Sequence, residues 1–272
     1  MMSSTPLWSG LLVSVRDAEE AATAVAGGAG IVDVKEPAHG PLGAASAATT
    51  AAIAGVVAGR VPWTLACGEL ATGGAAAGAA VANVVAVLTT DARPPSAAKA
   101  GAAGLAIDGW RREYAAFAAA LPTGTVPVAV AYADWRPAGA PAPEDLITAA
   151  AATGCRALLI DTFDKEADGI LGPAASASLP AWIGRARAAG MTVAVAGRIA
   201  AVDVGRAAAL GADVVAVRSA VCRGGRMGVV DRSLVAAAAS AVSAVMAAPA
   251  ATLSSPQCRQ PFRQVRSPGA VP

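Results

Sequence analysis

Eight apolar runs, each followed by a helical stretch, occupy residues 8–248 of this 272-residue chain and predict an α/β fold, a single (β/α)8 TIM barrel acting as one domain. Two further observations support that class. The runs are mostly continuous rather than alternating, as in parallel strands buried on both faces. No G-x-G-x-x-G follows the first of them, so the main sign of an open, doubly wound sheet is missing. Residues 249–272 turn to Pro, Ser, Gln and Arg without periodicity and are expected to form a disordered tail.

The first strand is the apolar run at 11–15; Asp17 then caps a helix, with Glu20 three positions on as in a capping box. The second strand covers 31–35 and breaks into a loop rich in Pro and Gly, ahead of a helix at 44–58. A third strand at 61–67 has Glu69 at its end, and an Ala/Gly helix follows at 74–87. The run at 96–101 is a weaker fourth strand, and 108–121 is helical. The fifth strand, 126–132, leads to Asp134, and Pro143 opens a helix that ends at Gly154. The sixth strand covers 156–161 and precedes a helix at 174–190. The seventh, 191–197, is followed by a short helix at 203–211. The eighth, 213–218, runs into a Gly-rich loop, after which Asp231 caps a last helix.

Composition excludes several classes. The formal charge is +2 and aromatics are 4% of the chain, with arginines scattered rather than striped, so no nucleic-acid partner is expected. Cys67, Cys155, Cys222 and Cys258 form no C-x-x-C pair, and the chain has one histidine. A zinc site is therefore not expected, and free thiols fit a reducing, cytoplasmic setting. No basic stretch precedes an apolar core at the N-terminus, so no signal peptide is expected. The uncharged stretches 70–90 and 233–253 are mostly alanine, a strong helix former but weakly apolar, and read as helices packed on a core rather than membrane spans.

The chemistry sits at the strand ends. Asp33 and Lys35 are two apart in a strand, so they point to one face just where a loop can fold over them. A surface ion pair is the plain alternative. Of 21 basic residues only Lys35, Lys99 and Lys165 are lysines. Unlike a guanidinium, a lysine amine can lose its proton and attack a carbonyl. Lys165 follows Asp161 much as Lys35 follows Asp33. In a (β/α)8 barrel all these positions face one mouth, where crowding and burial depress an amine pKa and supply the neutral form an imine needs. The loops after the seventh and eighth strands are the usual phosphate seat of the fold. Here they carry Gly197 with Arg198, and Ser219 with Gly224, Gly225 and Arg226. The residues alone thus suggest an enzyme acting on a phosphorylated carbonyl compound through a lysine imine.

Several motifs carry a more specific likeness. They are Leu11-Leu12-Val13-Ser14-Val15-Arg16-Asp17; Asp33-Val34-Lys35-Glu36-Pro37 with Gly40-Pro41-Leu42-Gly43-Ala44; Asp161-Thr162-Phe163-Asp164-Lys165; Ala196-Gly197; and Val217-Arg218-Ser219-Ala220-Val221-Cys222 with Gly224-Gly225-Arg226. In these the chain resembles the (5-formylfuran-3-yl)methyl phosphate synthases along nearly the whole barrel. The resemblance implies condensation of two molecules of glyceraldehyde 3-phosphate, with loss of one phosphate and water, for methanofuran-type cofactor biosynthesis. It implies the Schiff-base role for Lys35, proton transfer for Lys99, and support from Asp33, Asp161 and Lys165. It places Arg218 with the phosphate-end residues and calls for no metal or organic cofactor. The expected partner is a phosphorylated triose, and a homo-oligomer is compatible with the sequence. The chain departs from the family at Ala98-Lys99-Ala100-Gly101-Ala102-Ala103-Gly104, where V-K-V-G-L-x-G is usual, and at Arg198 and Ser219, where Ser and Gly are expected. His39 reads as a solvated loop residue. The alternatives are a class I aldolase on another sugar phosphate and a non-catalytic barrel that binds phosphorylated ligands.

Overall fold

Parallel strands pair in sequence order and close on themselves in the computed structural model, which describes residues 5–248. The expected tail at 249–272 lies outside the described residues. The strands are β1 (Gly10–Val15), β2 (Ile31–Val34), β3 (Trp63–Glu69), β4 (Ala97–Gly101), β5 (Val126–Tyr132), β6 (Ala157–Asp161), β7 (Thr192–Val195) and β8 (Val214–Val217). β8 returns to β1 with Gly10 opposite Val214 and Val13 opposite Val217, which closes the barrel.

The helices are α1 (Ala18–Ala26), α2 (Ala47–Val57), α3 (Gly74–Ala86), α4 (Ile107–Ala120), α5 (Pro143–Ala152), α6 (Pro173–Ser176), α7 (Leu179–Ala188), α8 (Val204–Ala208) and α9 (Arg232–Met246). Asp17 caps α1 by accepting from the Glu20 amide, and Asp231 caps α9 by accepting from Ser233 and Leu234. α4 shows why these helices form where they do. Trp110, Tyr114 and Phe117 recur at helical spacing and bury one face, with the Trp110 and Tyr114 rings stacked at 4.8 Å. Each such side chain contributes roughly 1.5–3 kcal/mol by leaving water.

Two expectations change. The helix foreseen at 174–190 is broken into α6 and α7, with Pro180 in the first turn of α7. Proline lacks the N–H that an interior turn needs but fits a first turn, so a new helix begins at Leu179. The segment foreseen at 203–211 is α-helical only in α8, after a 3-10 turn at Ala201–Asp203. No helix among the described residues is long and apolar enough to cross a membrane.

The strands look continuous in sequence because both faces are buried, but the two faces differ. Leu11, Val13, Val15, Val32 and Val34 belong to the large core between barrel and helices. Leu12, Ile31 and Val214 form a small separate cluster with Trp8, the apolar floor of the barrel. Toward the mouth the inner row turns polar, through Ser14, Asp33, Thr64, Lys99 and Asp161. Inner alanines at 97, 157, 194 and 216 leave a cavity of about 60 Å³ beneath these groups. A second cleft of about 60 Å³ adjoins it and shares Ser14, Lys35 and Asp161.

Candidate active site

Strand register assembles the first half of the site. Ser14 lies opposite Asp33, and Asp33 opposite Thr64, across three adjacent strands. Asp33 accepts from Ser14 Oγ at 2.9 Å and from Thr64 Oγ1 at 2.6 Å. Lys99 reaches across from β4 and donates to the same carboxylate, and its Nζ lies 3.4 Å from Thr64 Oγ1. Asp33 is 1% and Lys99 7% exposed, so this is a buried charge pair enclosed by two hydroxyls. The sequence suggests Asp33 as the neighbour of Lys35; the fold pairs it with Lys99 instead.

The second half is Asp161 with Lys165. Lys165 Nζ donates to Asp161 Oδ1 at 2.7 Å and also to the Thr162 carbonyl. Burial pushes the Asp161 carboxyl up, but Lys165, Lys35 and the Thr162 amide outweigh it and hold it below the usual carboxylate range.

Lys35 extends β2 and borders both cavities. Among the described residues its amine has no hydrogen bond and no ion pair, unlike Lys99 and Lys165. Burial depresses it, Asp161 and Asp33 act against that, and Lys165 and Arg226 add to it; the result is a pKa of about 8. At pH 7.5 about a quarter of such an amine is neutral, against about 0.1% at the ordinary value.

The second cleft is bordered by five of the seven residues expected to bind phosphate. Gly197, Arg198, Ser219 and Arg226 line it together with Lys35 and Lys165. Gly197 has φ 111°, and a Cβ there would lie 2.9 Å from Thr162, so only glycine fits. Arg198 follows at φ 50°, a left-handed conformation uncommon for a residue with a side chain. Arg226 reaches over the loop after Lys35, with Nη2 donating to Gly40 O at 2.9 Å and to Pro37 O at 3.3 Å.

Three of the expected phosphate-end residues are placed otherwise. Arg218 borders the cleft, but each of its five N–H donors is already taken, by Glu20, Ser14 O, Arg226 O and Gly228 O. Its side chain has none left for an anion. Gly224 and Gly225 are outside the cleft wall and supply two successive left-handed turns, φ 86° and 74°, which aim Arg226.

Glu20 likewise departs from expectation. Its amide completes half of the capping box, but its carboxylate turns to the Arg16 amide and to Arg218. Glu69 and Asp134, noted at strand ends, hold loops. Glu69 accepts from Tyr132 Oη at 2.6 Å and the Ala103 amide at 3.0 Å, and burial raises its pKa. Asp134 accepts from the amides of Phe163 and Asp164. His39 is an exposed loop residue whose Nδ1 meets Ala44 O. Burial pushes the Cys67 thiol up to about 12, which leaves it inert. Ser14 and Thr64 are the polar contacts that the sequence reading missed. Their inward parity, matching Asp33, was the available signal.

A model of the family described as 4-HFC-P synthase matches residues 11–239. The (5-formylfuran-3-yl)methyl phosphate synthase of Methanocaldococcus jannaschii is 31% identical, covering 83% of this chain and 96% of that protein. The protein of the same name from Archaeoglobus fulgidus is 28% identical, covering 83% and 95%. Among solved structures the fold is similar to thiamine phosphate pyrophosphorylase from Pyrococcus furiosus, with a TM-score of 0.56 and 15% identity over 87% of this chain and 96% of that one. It is also similar to 3-hexulose-6-phosphate synthase from Salmonella typhimurium, with a TM-score of 0.54 and 16% identity over 87% and 98%.

Proposed function

This chain belongs to the 4-HFC-P synthase family, and on that premise we propose that it condenses two molecules of glyceraldehyde 3-phosphate into (5-formylfuran-3-yl)methyl phosphate, through an imine at Lys35. The observation that supports the imine is the Lys35 amine, unpartnered among the described residues, set between two lysine–carboxylate pairs and with its pKa brought down to about 8. Lys35 Nζ attacks the carbonyl carbon, and the carbonyl oxygen leaves as water once protonated. The imine, being cationic, acts as an electron sink for removal of a neighbouring C–H proton. Asp33 with Lys99, and Asp161 with Lys165, are the groups at hand to take and return protons. Each pair couples a base to a donor in a site largely shielded from water. Gly197, Arg198, Ser219 and Arg226 hold a substrate phosphate beside Lys35. Over the whole reaction a carbon–carbon bond forms, the ring closes through oxygen, and one phosphate and two waters depart. The product suits methanofuran-type cofactor biosynthesis.

The test is incubation of the pure protein with glyceraldehyde 3-phosphate alone, beside Lys35→Arg. The expected result is ultraviolet absorbance of a conjugated furan aldehyde rising together with free phosphate, in the wild type only. Phosphate and absorbance that stay flat in the wild type would refute the proposed reaction. A six-carbon aldol product without the furan chromophore would reassign the chain to aldol chemistry.

A further inference from the structure

Glu20 and Arg218 are 198 positions apart and form an ion pair with only 1% and 6% of their side chains exposed. The contact is bidentate, with Nη1 to Oε2 at 2.8 Å and Nη2 to Oε1 at 3.1 Å. The other edge of the guanidinium grips backbone. Nε donates to Arg226 O at 2.7 Å, Nη2 to Gly228 O at 3.0 Å, and Nη1 to Ser14 O at 2.9 Å. Arg16 adds a second contact to Gly228 O, at 3.3 Å, and pairs with Glu20.

The loop that these contacts hold is a short hairpin, Cys222–Arg223 paired with Val229–Val230 around a 3-10 turn at Gly225–Met227. At its tip Gly224 and Gly225 both sit at positive φ, which glycine adopts without strain, so the tip alone does little to fix the Arg226 side chain. Arg226 comes next, and its guanidinium reaches the carbonyls of Pro37 and Gly40, in the loop that begins just after Lys35. The carbonyl of Arg226 lies within the turn and that of Gly228 just after it, so holding both sets the direction in which the Arg226 side chain leaves the backbone. A planar five-donor fork can fix both at once while staying paired to Glu20; an ammonium group cannot.

We propose that Glu20 and Arg218 are positioning residues that hold Arg226 at the mouth and so govern how tightly the substrate phosphate is seated. The proposal rests on the reading of the second cleft as the phosphate seat. Its effect falls on phosphate capture, with at most a small change at Lys35, since Arg226 is the weakest of the named groups that act on that amine.

The experiment compares wild type, Arg226→Gln, Arg218→Lys and the double variant Glu20→Leu with Arg218→Met. The double variant removes both charges and so leaves no lone buried ion. Three quantities are read: KM for glyceraldehyde 3-phosphate, inhibition by inorganic phosphate, and the rate of borohydride trapping with glyceraldehyde, which has no phosphate. For both Arg218 variants KM and the phosphate inhibition constant should rise about tenfold, the worth of roughly one charge-assisted contact, with trapping within about twofold of wild type. A lower melting temperature with unchanged KM and unchanged phosphate inhibition would show a merely structural pair and overturn the proposal. If Arg226→Gln itself leaves both unchanged, the cleft is not the phosphate seat, and the proposal falls with that reading. If only the Arg226 variant responds, the seat stands and the positioning role is refuted.

Discussion

The amine of Lys35 can be titrated directly, because competitive acetylation modifies only the neutral form. A pKa of about 8 makes the neutral fraction about 9% at pH 7 and about 91% at pH 9, a rise of about tenfold followed by a plateau. An ordinary lysine at 10.5 would rise about a hundredfold over the same interval and keep climbing. Asp161→Asn sharpens the test. Asp161 is the strongest nearby charge holding the proton on Lys35, so its removal must move the midpoint below that of wild type. Trace acetylation from pH 6 to 10, read as the mass ratio of the Lys35 peptide to a free-amine standard, measures both. A hundredfold climb in wild type, or an upward move in Asp161→Asn, would refute the account of a desolvated amine balanced against a carboxylate.

Lys35→Met should abolish product formation yet stabilise the fold. The folded pKa of about 8 lies below the unfolded value of 10.5, so below pH 8 both states bind the proton and the folded state carries the full cost of burying it. That cost is at most about 3 kcal/mol, and wild type regains it as pH rises from 8 to 10.5. Urea melts at pH 7 and pH 10 should therefore show a variant advantage at the first that shrinks at the second; an equal advantage at both would contradict it. Thr64→Val keeps the volume but removes the hydroxyl 2.6 Å from Asp33, and should lower kcat about tenfold with KM within about twofold. Unchanged kcat would show that Thr64 only fills space. Arg198→Gly relieves a left-handed backbone at φ 50°, so its stability should stay within about 1 kcal/mol of wild type while KM for the phosphorylated triose rises about tenfold. A melting temperature that drops with KM unchanged would mean Arg198 serves the fold and not the seat.

Much of this site was legible before folding. The scarcity of lysine singled out Lys35, Lys99 and Lys165; Lys99 borders the first cavity, Lys165 the adjoining one, and Lys35 both. The acids at the ends of β2 and β6 were visible because an acid after an apolar run is conspicuous. Ser14 and Thr64 were not, because a hydroxyl inside an apolar strand carries little signal until register sets it 2.9 Å or 2.6 Å from Asp33. The partnership of Asp33 was misread for a related reason. Residues two apart share a face, but a lysine on another strand of a closed barrel can reach the same carboxylate.

The sequence by itself determined the architecture and the chemical inventory. Eight alternations of strand and helix close into one barrel, because parallel strands twist with a constant hand and each helix covers its own pair. Closure then decided what no local pattern encodes. It brought Glu20 to Arg218 across 198 positions and so turned an apparent phosphate ligand into an internal strut. It paired Asp33 with Lys99 and left Lys35 unpaired among the described residues. The reason is physical: strand patterns repeat over a few residues, whereas a buried charge is satisfied by whichever donor the assembled barrel brings within about 3 Å.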